Sequence, residues 1–88
     1  MNLAPSRLGS ATLTVRHLDQ PGVLARVLDL LSRERLNVEH MENHVFRGGE
    51  AAMASIDVAG ALSTELLQHV RDVPHVLGVS TTSFEGAG

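Results

Sequence analysis

Binding chemistry is concentrated in one short segment of this sequence, residues 17–24, which reads HLDQPGVL. An imidazole, a carboxylate and an amide stand directly ahead of a proline and a glycine, at His17, Asp19, Gln20, Pro21 and Gly22. If a helix begins there, its first amides carry a partial positive charge that favours an α-carboxylate. Gly22 has no side chain, so a ligand can approach the backbone closely. Asp19 suits an α-ammonium, and the segment therefore predicts a site for a free amino acid.

Asn37 is a further polar candidate, because it directly follows the predicted helix. Structural roles also explain these residues. Asp19 can be the N-cap of the helix, Gly22 can lie in its first turn, and Asn37 can end it. The residue types alone leave both interpretations open.

Five histidines raise the question of a metal site. His40 and His44 are four residues apart on a predicted strand, which separates them by roughly 13 Å, too far to share an ion. His17 could approach one of them across strands. His69 and His75 flank the end of the second predicted helix, where the helix dipole favours a cation. The serines lack both an activating base and a nucleophile elbow, so we predict no catalytic residue, no metal and no cofactor.

The first half of the chain has the pattern of a strand followed by a helix. Residues 11–18 alternate, with Leu13, Val15 and His17 on one side and Thr12, Thr14 and Arg16 on the other. A helix of about 15 residues follows, because Pro21 suits a first turn and apolar residues then recur at helical spacing. That apolar stripe consists of Val23, Leu24, Val27, Leu28, Leu30 and Leu31.

The second half adds two strands and another helix. Residues 38–46 look extended, but neither side is cleanly apolar, which indicates a bulge or an edge position. A turn at 47–50 leads into 51–59, which alternates with Ala52, Ala54, Ile56 and Val58 inward. Ser63 is the predicted N-cap of the second helix, and Pro74 ends it.

A final strand over residues 76–84 completes the order strand, helix, strand, strand, helix, strand. With right-handed crossovers, this order predicts an α+β fold of the ferredoxin-like type. We expect a four-stranded antiparallel sheet with two helices on one face, in which the HLDQPGVL segment connects the first strand to the first helix.

Size and composition limit the possible functions. The chain has 88 residues, 43% of them hydrophobic, no cysteine and a net charge of −3, which indicates one small domain. No apolar run approaches the roughly 20 residues that span a bilayer. We predict a cytoplasmic protein with no membrane partner, a flexible leader at 1–10 and a flexible tail at 85–88.

Nucleic-acid binding is disfavoured by both charge and side chains. The free face of the predicted sheet would carry Thr12, Thr14, Arg16, Met53, Ser55 and Asp57. None of these is aromatic, so the stacking platform of RNA-binding proteins with this architecture is missing. The acidic net charge does not attract phosphates.

The sequence resembles the ACT domain, a regulatory module attached to many enzymes of amino-acid metabolism. The resemblance covers about residues 11–84 and rests on LTVRHLDQPGVLARVLDLL, LNVEHMENHVF and GGEAAMASIDV. It is greatest with the C-terminal domain of the phosphoglycerate dehydrogenase type, and the serine-dehydratase type is similar.

This resemblance implies an effector, L-serine, bound where two domains join edge to edge into a homodimer. The family's ligand residues fall at positions occupied here by His17, Asp19 and Asn37, and Asn37 would reach the partner's ligand. Asp19 stands where the family pattern has an asparagine, and a carboxylate cannot donate a hydrogen bond. The predicted ligand-binding residues are His17, Asp19, Gln20, Gly22, Val23, Leu24 and Asn37.

Two classes of function therefore remain. The chain is either an amino-acid-sensing regulatory domain, with a catalytic dehydrogenase domain as a further partner, or an ACT-fold assembly module that dimerises without a ligand. The serine-dehydratase type is a variant of the first class.

Overall fold

The computed structural model describes residues 8–85 of the chain and shows the predicted order of strands and helices. The elements are β1 (Leu8–Leu18), α1 (Val23–Arg33), β2 (Asn37–Val45), β3 (Ala51–Ala59), α2 (Thr64–Arg71) and β4 (Val76–Glu85). The strands form one antiparallel sheet in the order β2-β3-β1-β4. The α+β, ferredoxin-like prediction is confirmed.

β1 and β3 occupy the centre of the sheet, and their alternation builds the core. Leu13, Val15 and His17 of β1 are buried, as are Ala52, Ala54, Ile56 and Val58 of β3, all as the period-two pattern predicts. Buried residues of both helices, including Val27, Leu31, Leu66 and Val70, complete the same cluster.

β1 is longer than predicted at its start. It begins at Leu8 rather than at residue 11, because Leu8 and Ser10 extend the pairing with β4, opposite Glu85 and Phe84. The strands therefore extend beyond the predicted domain limits of 11–84, to Leu8 in β1 and to Glu85 in β4. The rest of the predicted leader and tail, residues 1–7 and 86–88, lies outside the described residues.

α1 is shorter than the predicted 15 residues, with 11 residues from Val23 to Arg33. Gly22 has a left-handed backbone with φ of 87°, so Pro21 and Gly22 form a turn before the helix rather than its first turn. At the other end, Arg35 has φ of 60°, which no right-handed helix accommodates.

β2 is an edge strand with a bulge, as predicted. Its pairing with β3 shifts register between Val38 and His40. The shift places Val38 on the helix-facing side of the sheet together with Met41, Asn43 and Val45, which lie opposite Ile56, Ala54 and Ala52. Strict alternation over residues 38–46 would instead put Val38 on the opposite side, with His40 and His44.

α2 begins as predicted, because the backbone N–H of Leu66 donates to Oγ of the N-cap residue Ser63 at 3.0 Å. The helix ends at Arg71, and a turn containing Pro74 leads to β4. His69 lies in the last turn, as predicted, and His75 lies in the connecting turn with φ of 76°. In the described part of the chain, neither helix has the length and apolar character needed to cross a bilayer.

Candidate functional site

The corner between β1 and α1 is held by backbone hydrogen bonds to both neighbouring strands. The N–H of Leu18 donates to the carbonyl of His75 at 2.9 Å, just before β4 begins. The N–H of Asp19 donates to the carbonyl of Glu50 at 2.9 Å, just before β3 begins. These bonds position the polar residues of HLDQPGVL at one end of the sheet.

No side chain caps the N-terminus of α1. The N-cap residue is Gly22, and the cap makes no side-chain hydrogen bond. The N–H of Val23 makes a long 3.4 Å bond to the carbonyl of Gln20. The alternative role of Asp19 as a helix cap is therefore wrong, because the turn at Pro21 and Gly22 separates it from the helix. The Asp19 side chain is exposed, and its carboxylate makes no hydrogen bond or ion pair within residues 8–85.

The surface above Gly22 is open. A methyl group built on its α-carbon would meet no atom within 4 Å. Gln20 is also exposed, whereas Val23 is buried and Leu24 is half-buried. The corner thus combines accessible polar groups and helix amides with an apolar base, an arrangement that can accept a small zwitterion.

His17 is placed at this corner but is not open to solvent. Its residue exposure is 2%, and both ring nitrogens already have partners. Nδ1 lies 2.9 Å from the carbonyl oxygen of Leu18, and Nε2 lies 3.1 Å from Oδ1 of Asn43. The imidazole of His17 is therefore buried on the helix-facing side of the sheet, and its role as a ligand-binding residue stays a prediction.

Asn43, the hydrogen-bond partner of His17, is a residue that sequence reasoning did not connect with the corner. Nothing in the pattern of residues 38–46 connected it with the HLDQPGVL segment, because neither side of that strand is cleanly apolar. A signal was nevertheless present: Asn43 is the single polar residue between Met41 and Val45 on its side of β2.

Asn37 lies at the other end of the sheet from His17. Asn37 is opposite Ala59 in β3, whereas His17 is opposite Ala52, seven residues earlier in the same strand. That separation corresponds to about 24 Å along the strand. One chain therefore does not bring Asn37 together with His17 and Asp19.

β2 offers a free edge with apolar side chains. All nine of its residues are exposed. Val38, Met41 and Val45, which share the helix-facing side, are 36%, 38% and 43% exposed. An exposed edge with apolar side chains is suited to pairing with another strand.

The remaining features lie away from the corner. A groove of about 610 Å³ separates α1 from α2 and includes an exposed ion pair in which Arg33 Nε is 2.9 Å from Asp29. On the open sheet face, His40 Nε2 lies 3.1 Å from Glu42. Within residues 8–85, no group of three or more metal-ligating side chains is close enough to hold an ion.

Comparison with known proteins supports the assignment of the fold. Residues 13–78 match the family described as "AHAS small subunit-like ACT domain". A curated relative, D-3-phosphoglycerate dehydrogenase 3, chloroplastic, from Arabidopsis thaliana, is 30% identical over 69 residues, which are 78% of this chain. The chain spans 12% of that relative's length. Since the relative is chloroplastic by name, the predicted cytoplasmic location stays a prediction.

Solved structures agree on the fold. A homoserine dehydrogenase from Thiobacillus denitrificans superposes with a TM-score of 0.73 at 18% identity, over 98% of this chain and 20% of that one. An ACT domain protein from Streptococcus pneumoniae gives a TM-score of 0.69 at 20% identity, over 86% and 90% of the two chains. The family match covers residues 13–78, and the sheet order is that of the ferredoxin-like fold. The chain therefore belongs to the ACT domain family.

Proposed function

We propose that this ACT domain senses a free amino acid, with L-serine as the first candidate, at the interface of a homodimer joined through β2. The observation that carries the proposal is the divided site. His17, Asp19 and the uncapped end of α1 lie at one end of the sheet, and Asn37 lies at the other end, on a free edge strand.

The corner supplies groups for both charges of an amino acid. The backbone amides of Gly22, Val23 and Leu24, at the entrance to α1, suit the α-carboxylate, because no side chain occupies that helix end and the N–H of Val23 makes only a long 3.4 Å bond to Gln20. The exposed carboxylate of Asp19 suits the α-ammonium, and the exposed amide of Gln20 can bind a polar side chain.

A second copy would complete this site. Antiparallel pairing of two β2 strands places the first residue of one strand beside the last residues of the other. Val45, near the end of β2, lies opposite Ala52, which in turn lies opposite His17. Asn37 of the second copy would therefore lie at the end of the sheet that carries His17 and Asp19.

Ligand binding across such an interface has a direct regulatory consequence. A ligand held by both copies binds the dimer better than the separated chains, so it stabilises one arrangement of whatever is attached to them. The curated relative is a dehydrogenase of which this chain matches a small part. We propose allosteric control of a phosphoglycerate-dehydrogenase-type enzyme of serine biosynthesis, with its catalytic domain as the partner.

Thermal unfolding with a panel of amino acids tests the proposal. At 100 times its dissociation constant, a true effector adds about 2.7 kcal/mol to the free energy of unfolding. We expect that shift with serine, and its loss in His17→Ala and in Asn37→Ala. His69→Ala is the matched control, because His69 is an exposed histidine on α2. Shifts that survive both His17→Ala and Asn37→Ala would show that the ligand binds elsewhere.

An assembly module without a ligand is the second candidate. The exposed Val38, Met41 and Val45 favour it, because burying them would stabilise a dimer without any effector. A dimer in light scattering whose unfolding no amino acid shifts would support this alternative over the sensor.

A further inference from the structure

The hydrogen bond between His17 and Asn43 joins the corner to the edge strand across an intervening strand. β3 lies between β1 and β2, so the two side chains meet over its helix-facing surface. The helix-facing residues of β3 that lie opposite His17 and Asn43 are Ala52 and Ala54, whose side chains are single methyl groups. Both alanines are fully buried, and their small size leaves room for an imidazole and a carboxamide to meet above them.

The backbone determines which ring nitrogen of His17 carries the proton. Nδ1 lies 2.9 Å from the carbonyl oxygen of Leu18, and a carbonyl only accepts hydrogen bonds. Nδ1 is therefore the donor, which leaves Nε2 as an acceptor in the neutral imidazole. The side chain facing Nε2 must then supply a donor.

Asn43 can supply that donor through its amide nitrogen. A half-turn of the carboxamide exchanges Oδ1 and Nδ2 without changing its shape, so Nδ2 can donate to Nε2 across the same 3.1 Å contact. Oδ1 then points away from His17. Because His17 is buried and Asn43 is exposed, this oxygen is the polar atom of the pair that solvent or a ligand can reach.

Asn43 lies in the half of β2 that is nearer to the corner's end of the sheet. Asn43 is three residues before Phe46, whose N–H donates to the carbonyl of Ala51. Asp19 is bonded to Glu50, the neighbour of Ala51. An α-ammonium has three N–H donors, so a carboxylate on one side leaves donors for a second acceptor.

We propose, on the basis of the proposed function, that Asn43 is a ligand-contacting residue whose Oδ1 accepts a hydrogen bond from the α-ammonium of the effector. His17 is its positioning residue: it holds the carboxamide with the oxygen outward. The pair thus selects ligands with a donor at the α-position and links the effector site to β2, the strand of the proposed dimer interface.

Nitrogen-15 NMR of the ligand-free 88-residue protein tests the positioning role. At a pH where His17 is neutral, we expect a protonated Nδ1 and an unprotonated Nε2. In Asn43→Leu, the Nε2 resonance should move, whereas in the control Glu42→Ala it should stay, because Glu42 faces the other side of β2. A neutral His17 protonated at Nε2 would overturn the inference, since Asn43 would then present its NH2 group outward.

Binding of L-serine and of 3-hydroxypropionate, which lacks the α-ammonium, tests the contact itself. Asn43→Leu should weaken serine binding by about 10- to 100-fold, the loss expected for one hydrogen bond to a charged group. It should leave the weaker binding of 3-hydroxypropionate unchanged, and Glu42→Ala should affect neither ligand. Asn43 would have only a structural role if Asn43→Leu weakened both ligands equally.

Two results would separate this inference from the proposed function. Serine binding by the wild type that Asn43→Leu does not change overturns the inference and leaves the serine site in place. A wild-type protein that binds neither serine nor any other amino acid overturns both.

Discussion

Gly22 and Gly60 are two of the four glycines within residues 8–85 whose backbone conformations other residues adopt only with strain. Gly22, at the entrance to α1, has φ of 87°, and Gly60, after β3, has φ of 126°. Their surroundings differ. The space beside Gly22 is open, whereas a methyl group on Gly60 would lie 2.7 Å from Cδ2 of Leu36. At Gly22 the backbone conformation alone requires glycine, because the space beside it is open.

Replacing each glycine with alanine should separate the cost of backbone strain from the cost of a steric clash. Gly22→Ala should lower the free energy of unfolding by about 1 kcal/mol, from backbone strain alone. Gly60→Ala should lower it further, because Cδ2 of Leu36 must also move to admit the methyl group. Urea denaturation measures both. Equal losses would contradict the open surface assigned to Gly22.

At the scale of elements, the two helices begin in different ways. α2 has a side-chain cap from Ser63, whereas α1 begins at a glycine with no side-chain cap. Under the proposed function, the amides at the start of α1 bind the carboxylate of the effector instead of a side-chain cap. That arrangement predicts different effects of removing the oxygen that precedes each helix.

Ser63→Ala should destabilise the domain by about 1 kcal/mol, the usual loss for an N-cap. Asp19→Ala should change stability by less than about 0.5 kcal/mol, because the Asp19 carboxylate is exposed and caps nothing. The same denaturation experiment compares them. A loss from Asp19→Ala as large as that from Ser63→Ala would show that Asp19 does support α1.

The elements also show how far sequence reasoning reaches. Alternation correctly predicted the central strands β1 and β3, because one face of each is buried and the other is not. It failed in β2, where the register shift after Val38 moves that residue to the other face. The start of α1 was misplaced because proline suits a helical first turn and a preceding turn equally well.

The candidate site was predictable only in part, because some of its contacts depend on how separate strands pack together. His17, Asp19, Gly22 and the end of α1 are close in sequence, so a local motif locates them. The contact between His17 and Asn43 depends on a bulge in β2 and on two alanines in β3. Such a contact arises from the packing of three strands, which a single-strand pattern does not contain.

At the scale of the whole molecule, one chain presents two incomplete halves of the proposed site. The corner and Asn37 lie at opposite ends of the sheet, about 24 Å apart along the strands. A two-fold axis through paired β2 strands would create two sites per dimer, each built from the corner of one copy and Asn37 of the other.

Mixed dimers of His17→Ala and Asn37→Ala chains test this arrangement most directly, by serine titration calorimetry. Each variant alone should bind no serine. In a mixed dimer one site carries both substitutions and the other carries neither, so we predict one serine per dimer with wild-type affinity. If mixed dimers bind no serine, although the wild type binds it, each site lies within a single chain and the shared site is wrong.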